Sequence, residues 1–106
     1  MNDDEYTPER LIKEMNAGIE EFGRYAFFDK GAREVMDLGP VVEWLHTKSP
    51  EFAGEFLKEL IGPRARPPLN RMHLAGGLLE ELNGPGCPWT QEQWDRLEER
   101  YNGKGQ

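Results

Sequence analysis

The chain has 106 residues, of which 37% are hydrophobic, 31% charged and 10% aromatic, and its formal net charge is −7. This length suits one domain with a modest hydrophobic core, and the aromatic content argues against a disordered chain. Phosphate neutralisation supplies most nucleic-acid affinity, so an acidic chain is a poor general binder of DNA or RNA. No stretch approaches 18 consecutive apolar residues, so no membrane-spanning helix is predicted.

The first predicted helix has a well-defined start. Thr7 precedes Pro8, and a threonine N-cap followed by proline at the first helical position is typical of a helix N-terminus. Apolar residues then recur every three or four positions, which places on one helical stripe Leu11, Met15, Ile19, Phe22 and Ala26. We predict a helix from about Pro8 to Phe27, ended by the segment that finishes at Gly31.

Two proline signals divide the middle of the chain. Residues 32–38 can form about two helical turns before Gly39-Pro40, and Pro40 can open a short helix that contains Trp44. Ser49 before Pro50 then repeats the cap-plus-proline signal and predicts the start of another helix.

A twelve-residue pattern occurs twice, 22 residues apart, with seven identical positions. The copies are FAGEFLKELIGP from Phe52 and LAGGLLEELNGP from Leu74. Each copy predicts a helix that stops at Gly-Pro, with Gly62 and Gly84 as the stop residues. The two similar helices should cover about residues 50–61 and 71–83, with Asn70 as N-cap of the second and a proline-rich linker between them.

Gly54 and Gly76 stand inside these helices, where a glycine costs about 1 kcal/mol relative to alanine. One interpretation is that the Ala-Gly steps let the repeat helices cross closely or receive another element. Two alternatives are a coincidental likeness of ordinary amphipathic helices, and a shallow groove that holds a partner's side chain. Close crossing predicts that Gly54→Leu and Gly76→Leu each destabilise the fold by about 1–3 kcal/mol.

The last helix has the most complete start signal. Thr90 and Gln93 form a Thr-x-x-Gln capping box, and Trp89 and Trp94 occupy the two positions of a hydrophobic staple. The Thr90 hydroxyl should therefore accept a hydrogen bond from the backbone N–H of Gln93, with the two indole rings in contact.

No segment shows sustained period-two alternation, and β-branched residues are scarce. We therefore predict an all-α fold, a single domain over residues 1–106 with five or six helices and flexible ends at residues 1–6 and 103–106. The predicted core consists of Leu11, Met15, Ile19, Phe22, Phe27, Val35, Trp44, Leu45, Phe56, Leu57, Leu60, Leu78, Leu79, Leu82, Trp94 and Leu97.

Little in the sequence indicates catalysis. Glu43 and His46 form one Glu-x-x-His motif, whereas a di-iron site in a helical bundle uses two, so an exposed Glu43 and a helix-end His46 are expected. His73 and Cys87 could join His46 as metal ligands only through the tertiary fold. Cys87 is the single cysteine, so no intrachain disulfide can form. We predict no enzyme activity, no cofactor and no metal site.

Charge is distributed unevenly along the chain. Residues 1–21 carry seven acidic and two basic side chains. Three pairs of adjacent glutamates form either solvated surface or an acidic face for a basic partner, namely Glu20-Glu21, Glu80-Glu81 and Glu98-Glu99. A basic patch in the predicted linker either contacts an anion or balances the acidic first helix; it consists of Arg64, Arg66 and Arg71.

The favoured hypothesis is a small acidic adaptor or inhibitor of the kind that phages and mobile elements encode. It would dock on a larger protein or nucleoprotein complex through an acidic helical face formed by Glu20, Glu21, Glu98 and Glu99. The alternative is a nucleic-acid-associated helical module that uses Arg64, Arg66 and Arg71. The acidic N-terminus does not fit a signal peptide, so we expect a cytoplasmic protein without a membrane partner.

Overall fold

The computed structural model describes residues 6–62 and 68–102, and these residues contain helices but no strand. The five α-helices are α1 (Pro8–Phe22), α2 (Gly39–His46), α3 (Pro50–Ile61), α4 (Leu69–Leu82) and α5 (Gln91–Asn102). A π turn (Ala26–Lys30) and a 3-10 turn (Ala32–Glu34) lie between α1 and α2. The predicted all-α fold with five or six helices is confirmed. Nearly all of the residues predicted to be flexible, and most of the proline-rich linker, lie outside the described residues.

Helix α3 occupies the centre of the molecule. The four other α-helices all pack against it, and α4 also contacts α2 and the 3-10 turn. On α3 the side chains of Ala53, Leu57 and Leu60 are fully buried. The described residues share one hydrophobic core that every helix enters.

Most of the predicted core is confirmed. The buried members are Leu11, Met15, Phe27, Val35, Leu45, Phe56, Leu57, Leu60, Leu78, Leu82, Trp94 and Leu97. Three others are half-buried against this core, namely Ile19, Trp44 and Leu79. The prediction omitted the buried residues Ala32, Leu38, Val41, Ala53, Leu74 and Ala75.

The predicted core position of Phe22 is wrong, and so is the predicted end of the first helix. Gly23 has φ = +92° and donates its N–H to the Ile19 carbonyl at 2.8 Å, which ends α1 at Phe22. Only glycine adopts this backbone readily. The apolar stripe therefore stops there and leaves Phe22 55% exposed, while Phe27 is buried from the π turn.

The cap-plus-proline signals are confirmed. The Thr7 hydroxyl accepts from the Arg10 N–H and the Ser49 hydroxyl from the Phe52 N–H, both at 3.1 Å. The two helical turns predicted over residues 32–38 are reduced to the 3-10 turn at Ala32–Glu34. Helix α2 then begins at Gly39-Pro40.

The repeat helices differ at their ends. Helix α3 ends as predicted, because Gly62 has φ = +91° and donates its N–H to the Lys58 carbonyl at 3.0 Å. Helix α4 ends at Leu82 with Asn83 at the cap, so Gly84 is not the equivalent of Gly62. The predicted N-cap role of Asn70 is also wrong, since α4 starts at Leu69, two residues before the predicted start and directly after Pro68.

The two repeat glycines have different surroundings. A Cβ at Gly54 would lie 2.4 Å from the Leu97 carbonyl oxygen, so α3 crosses α5 closely there. A Cβ at Gly76 would meet no atom of another described element within 4 Å, so the predicted crossing at Gly76 is wrong. A second close contact was not predicted: a Cβ at Gly18 would lie 2.5 Å from the Val35 carbonyl oxygen.

The capping box of α5 is confirmed. The Gln93 backbone N–H donates to the Thr90 hydroxyl at 3.2 Å, and the Gln93 side chain accepts from the Thr90 N–H at 2.9 Å. The ring centroids of Trp89 and Trp94 are 6.3 Å apart, which confirms the predicted indole contact. At the other end of the helix, partial burial raises the pKa of the Tyr101 phenol.

Thr90→Ala should lower the free energy of unfolding by about 1 kcal/mol, because the first turn of α5 loses its side-chain acceptor. Urea unfolding of both proteins measures the difference. Thr90→Ser keeps the hydroxyl and should stay within about 0.5 kcal/mol of the original chain. Equal stability of the alanine and serine variants would show that this hydrogen bond does not stabilise α5.

Candidate interaction surfaces

The side chains considered for metal binding lie in separate structural contacts. His46 is the last residue of α2, and its Nε2 lies 3.0 Å from the Leu82 carbonyl oxygen at the end of α4. The His73 ring packs 5.0 Å from the Phe28 ring, measured between centroids. Cys87 is half-buried, and Glu43 is exposed. Over residues 6–62 and 68–102, no three His, Cys, Asp or Glu side chains are grouped as a metal site.

The predicted acidic face consists of carboxylates that have no partner among residues 6–62 and 68–102. Glu20 and Glu21 are exposed in the last turn of α1, whereas on α5 Glu99 is exposed and Glu98 half-buried. None of the four makes an ion pair or hydrogen bond with another described residue. Helices α1 and α5 both pack on α3 but not extensively on each other, so the two glutamate pairs lie on separately packed helices.

Other acids are neutralised within the fold. The Glu81 carboxylate is 2.7 Å from the Arg33 guanidinium, and the Glu55 carboxylate is 3.2 Å from that of Arg100. In the pair Glu80-Glu81, therefore, Glu80 is the one without an ionic partner among the described residues.

The structure describes only one member of the predicted basic patch. Arg64 and Arg66 lie outside the described residues, and Arg71 is half-buried on α4. A Cβ at Gly62 would lie 3.3 Å from Nη1 of Arg71, which places this guanidinium at the C-terminal end of α3. A positive charge at that position is favourable because the helix dipole is negative there.

A groove runs along the exposed face of α4. It has a volume of about 430 Å³, and we call it the α4 groove. Its α4 side is formed by Leu69, Met72, His73, Gly76, Gly77 and Glu80. Gly31 and Ala32 form the opposite wall. The floor is low because Gly76 and Gly77 carry no side chains. Leu69 is 60% and Met72 46% exposed, which is high for large apolar side chains.

A second hollow continues this surface toward α1. It has a volume of about 350 Å³ and is lined by Asn16, Ile19, Arg24, Phe28, Leu69 and Asn70. Leu69 belongs to both depressions, so together they form one partly apolar surface. Phe22, at the end of α1, and Tyr25, just before the π turn, are also exposed but do not line this hollow.

A third hollow, of about 400 Å³, has several charged side chains at its rim. It lies between α1 and α3 and is lined by Glu9, Glu55, Lys58, Glu59 and Gly62. The ion pairs and half-buried arginine described above partly neutralise its surroundings. Its other charged side chains, Glu9, Lys58 and Glu59, make no ion pair with another described residue.

The aromatic side chains at α2 and α3 pack against one another. Trp44 meets the rings of Tyr6 and Phe52 at centroid distances of 5.6 Å, and the Lys48 ammonium lies 5.0 Å from the Trp44 centroid. These edge-on and cation–π contacts hold the cluster together, and Phe52 at its edge remains 43% exposed.

The sequence reasoning missed Leu69 and Met72 as surface residues. A signal was present, because apolar residues occur on more than one face of α4: Leu74, Ala75, Leu78 and Leu82 are buried, whereas Leu69 and Met72 are exposed. A helix with apolar residues on two faces needs a second contact surface or leaves one apolar face in water.

Comparison with known protein families, with curated protein sequences and with solved structures gives no match to this chain. Among the described helices none combines the length and apolar character that a membrane crossing requires.

Proposed function

We propose that this chain is a small cytoplasmic interaction protein without catalytic activity, which docks on a larger protein and acts as an adaptor or inhibitor. The observation that carries the proposal is the set of carboxylates that have no ionic partner among the described residues, on a chain of net charge −7. Charge of one sign, left uncompensated on exposed helix faces, steers association with a surface of the opposite sign.

Two features support a role in binding rather than in chemistry. The described side chains that could act in catalysis are separated and have structural contacts, as His46 does with the Leu82 carbonyl. By contrast, two exposed large apolar side chains, Leu69 and Met72, lie together on the α4 groove. Contiguous apolar patches on small proteins commonly mark interaction sites.

Charge reversal tests the acidic face. The partner is first captured from extract of the organism's own cells and purified, and association is then followed by stopped-flow or surface plasmon resonance. The double variants Glu20→Lys/Glu21→Lys and Glu98→Lys/Glu99→Lys should slow association on the order of tenfold at low ionic strength. The effect should shrink as salt rises, because screening weakens attraction between exposed charges.

The matched control is Glu34→Lys/Glu43→Lys, which makes the same change of net charge at exposed positions outside the proposed face. It should alter the rate much less. An association rate indifferent to salt and to all three double variants would refute docking through the acidic face. Salt-dependent binding of DNA or RNA that is lost on reversal of Arg64, Arg66 and Arg71 would replace it by the nucleic-acid alternative.

A further inference from the structure

We infer that the α4 groove is the docking site for a basic amphipathic helix of the partner protein. This inference rests on the proposed function, because the helix would belong to the protein that the acidic chain binds. It goes further by placing the apolar contact on α4 and by stating the partner's chemistry.

The shape of the groove fits a helix. Its α4 residues lie at spacings typical of one helical stripe, from Leu69 through Met72 and Gly76 to Glu80. That stripe spans about 16 Å at a rise of about 1.5 Å per residue, or about three helical turns. The described residues offer no sheet edge to which an extended peptide could add a strand.

The floor of the α4 groove leaves room for another helix to approach α4 closely. A Cβ at Gly76 would meet nothing from another described element within 4 Å, and one at Gly77 would make only ordinary contacts of 3.5 and 3.6 Å. A leucine or methionine of an incoming helix can therefore sit over Gly76, beside the Gly77 contact with Ala32. Leu69 and Met72 would then be covered, and methionine adapts well to such contacts.

Charge decides between a foreign helix and a second copy of this chain. Each copy carries a net charge of −7, so two copies repel one another as they approach. Glu80 lines the groove without an ionic partner among the described residues, while the neighbouring Glu81 is neutralised by Arg33. A lysine or arginine on the incoming helix would supply the missing partner of Glu80.

The test uses a synthetic amphipathic peptide with leucine on one helical face and lysine on the other. Amide chemical shifts of the ¹⁵N-labelled full chain map its binding, and titration gives the affinity. We expect the shifts to concentrate between Leu69 and Glu80. Gly76→Leu should weaken binding about tenfold or more, because its side chain fills the groove. Glu80→Lys should weaken binding less, with an effect that fades as salt rises.

Three controls separate groove filling from other effects. A scrambled peptide of the same composition has the same charge but no apolar face, and it should bind much more weakly. Asn102→Leu adds the same side chain at an exposed position on α5 and should leave affinity unchanged. The melting temperature of Gly76→Leu should not fall, since the position is open.

Several outcomes would overturn the inference. One is equal binding of the scrambled peptide, which would show charge attraction alone. Another is an affinity that Gly76→Leu leaves unchanged, or peptide-induced shift changes of the original chain that lie on a different surface. A third is sedimentation of the original chain as a dimer that Gly76→Leu dissociates, because a second copy would then occupy the groove. Each leaves the charge-reversal result with the natural partner intact, so loss of this site and loss of the proposed function remain distinguishable.

Discussion

Gly54→Ala should lower the free energy of unfolding by about 2 kcal/mol, although alanine is the better helix former. The added Cβ would lie 2.4 Å from the Leu97 carbonyl oxygen and 2.7 Å from the Arg100 Cβ. The first is a backbone atom of α5 and the second is the first side-chain carbon of an α5 residue, so neither can move without shifting that helix. Gly54→Leu adds more atoms at the same point and should cost more. Urea unfolding monitored by tryptophan fluorescence measures both changes.

Gly76→Ala is the matched control, since it makes the same change at the equivalent position of the repeat. Its Cβ meets no neighbouring element within 4 Å, so the gain in helix propensity should stand alone. We expect a rise of up to about 1 kcal/mol. The opposite signs of the two variants are the decisive result. If Gly54→Ala also stabilises the chain, α3 and α5 do not cross closely at Gly54.

Gly18→Ala should have the second-largest effect, a loss of roughly 1–2 kcal/mol. Its Cβ would lie 2.5 Å from the Val35 carbonyl oxygen and 3.1 Å from the Val35 Cβ. Either α1 or the segment after the 3-10 turn must move to admit it. Thermal and urea unfolding both report the change.

The control for Gly18→Ala is Gly77→Ala in α4, because Gly77 faces the same stretch between α1 and α2 that Gly18 contacts. There the added Cβ makes contacts of 3.5 Å to Ala32 and 3.6 Å to Leu38, which a folded protein accommodates. This variant should be neutral or stabilised by up to about 1 kcal/mol. A Gly18→Ala protein as stable as Gly77→Ala would contradict the tight contact between α1 and Val35.

The candidate site was only partly accessible to sequence reasoning. The free carboxylates Glu20, Glu21 and Glu99 follow from composition and helical position, since charged residues on short amphipathic helices face water. The α4 groove could be named only as one of three interpretations of the glycines. Whether Gly76 faces a neighbouring helix or open space depends on where the 3-10 turn and the π turn lie, and no local pattern fixes that placement.

The sequence by itself determined the starts of α1, α3 and α5 and much of the core. Thr7, Ser49 and Thr90 cap helices through hydrogen bonds to N–H groups three residues away, and interactions of such short range are encoded locally. Buried positions such as Leu57 and Leu97 follow likewise from periodicity, because a helix has one face toward the core.

Only the tertiary structure decided which glycines are in tight crossings. Gly54 and Gly76 occupy identical positions in the repeat, yet one touches the backbone of α5 and the other faces a groove. Helix packing brings together residues far apart in the chain, such as Gly54 with Leu97 and Gly18 with Val35. The same repeated local sequence therefore has two different environments, because each environment is set by the helix that packs against it rather than by the repeat.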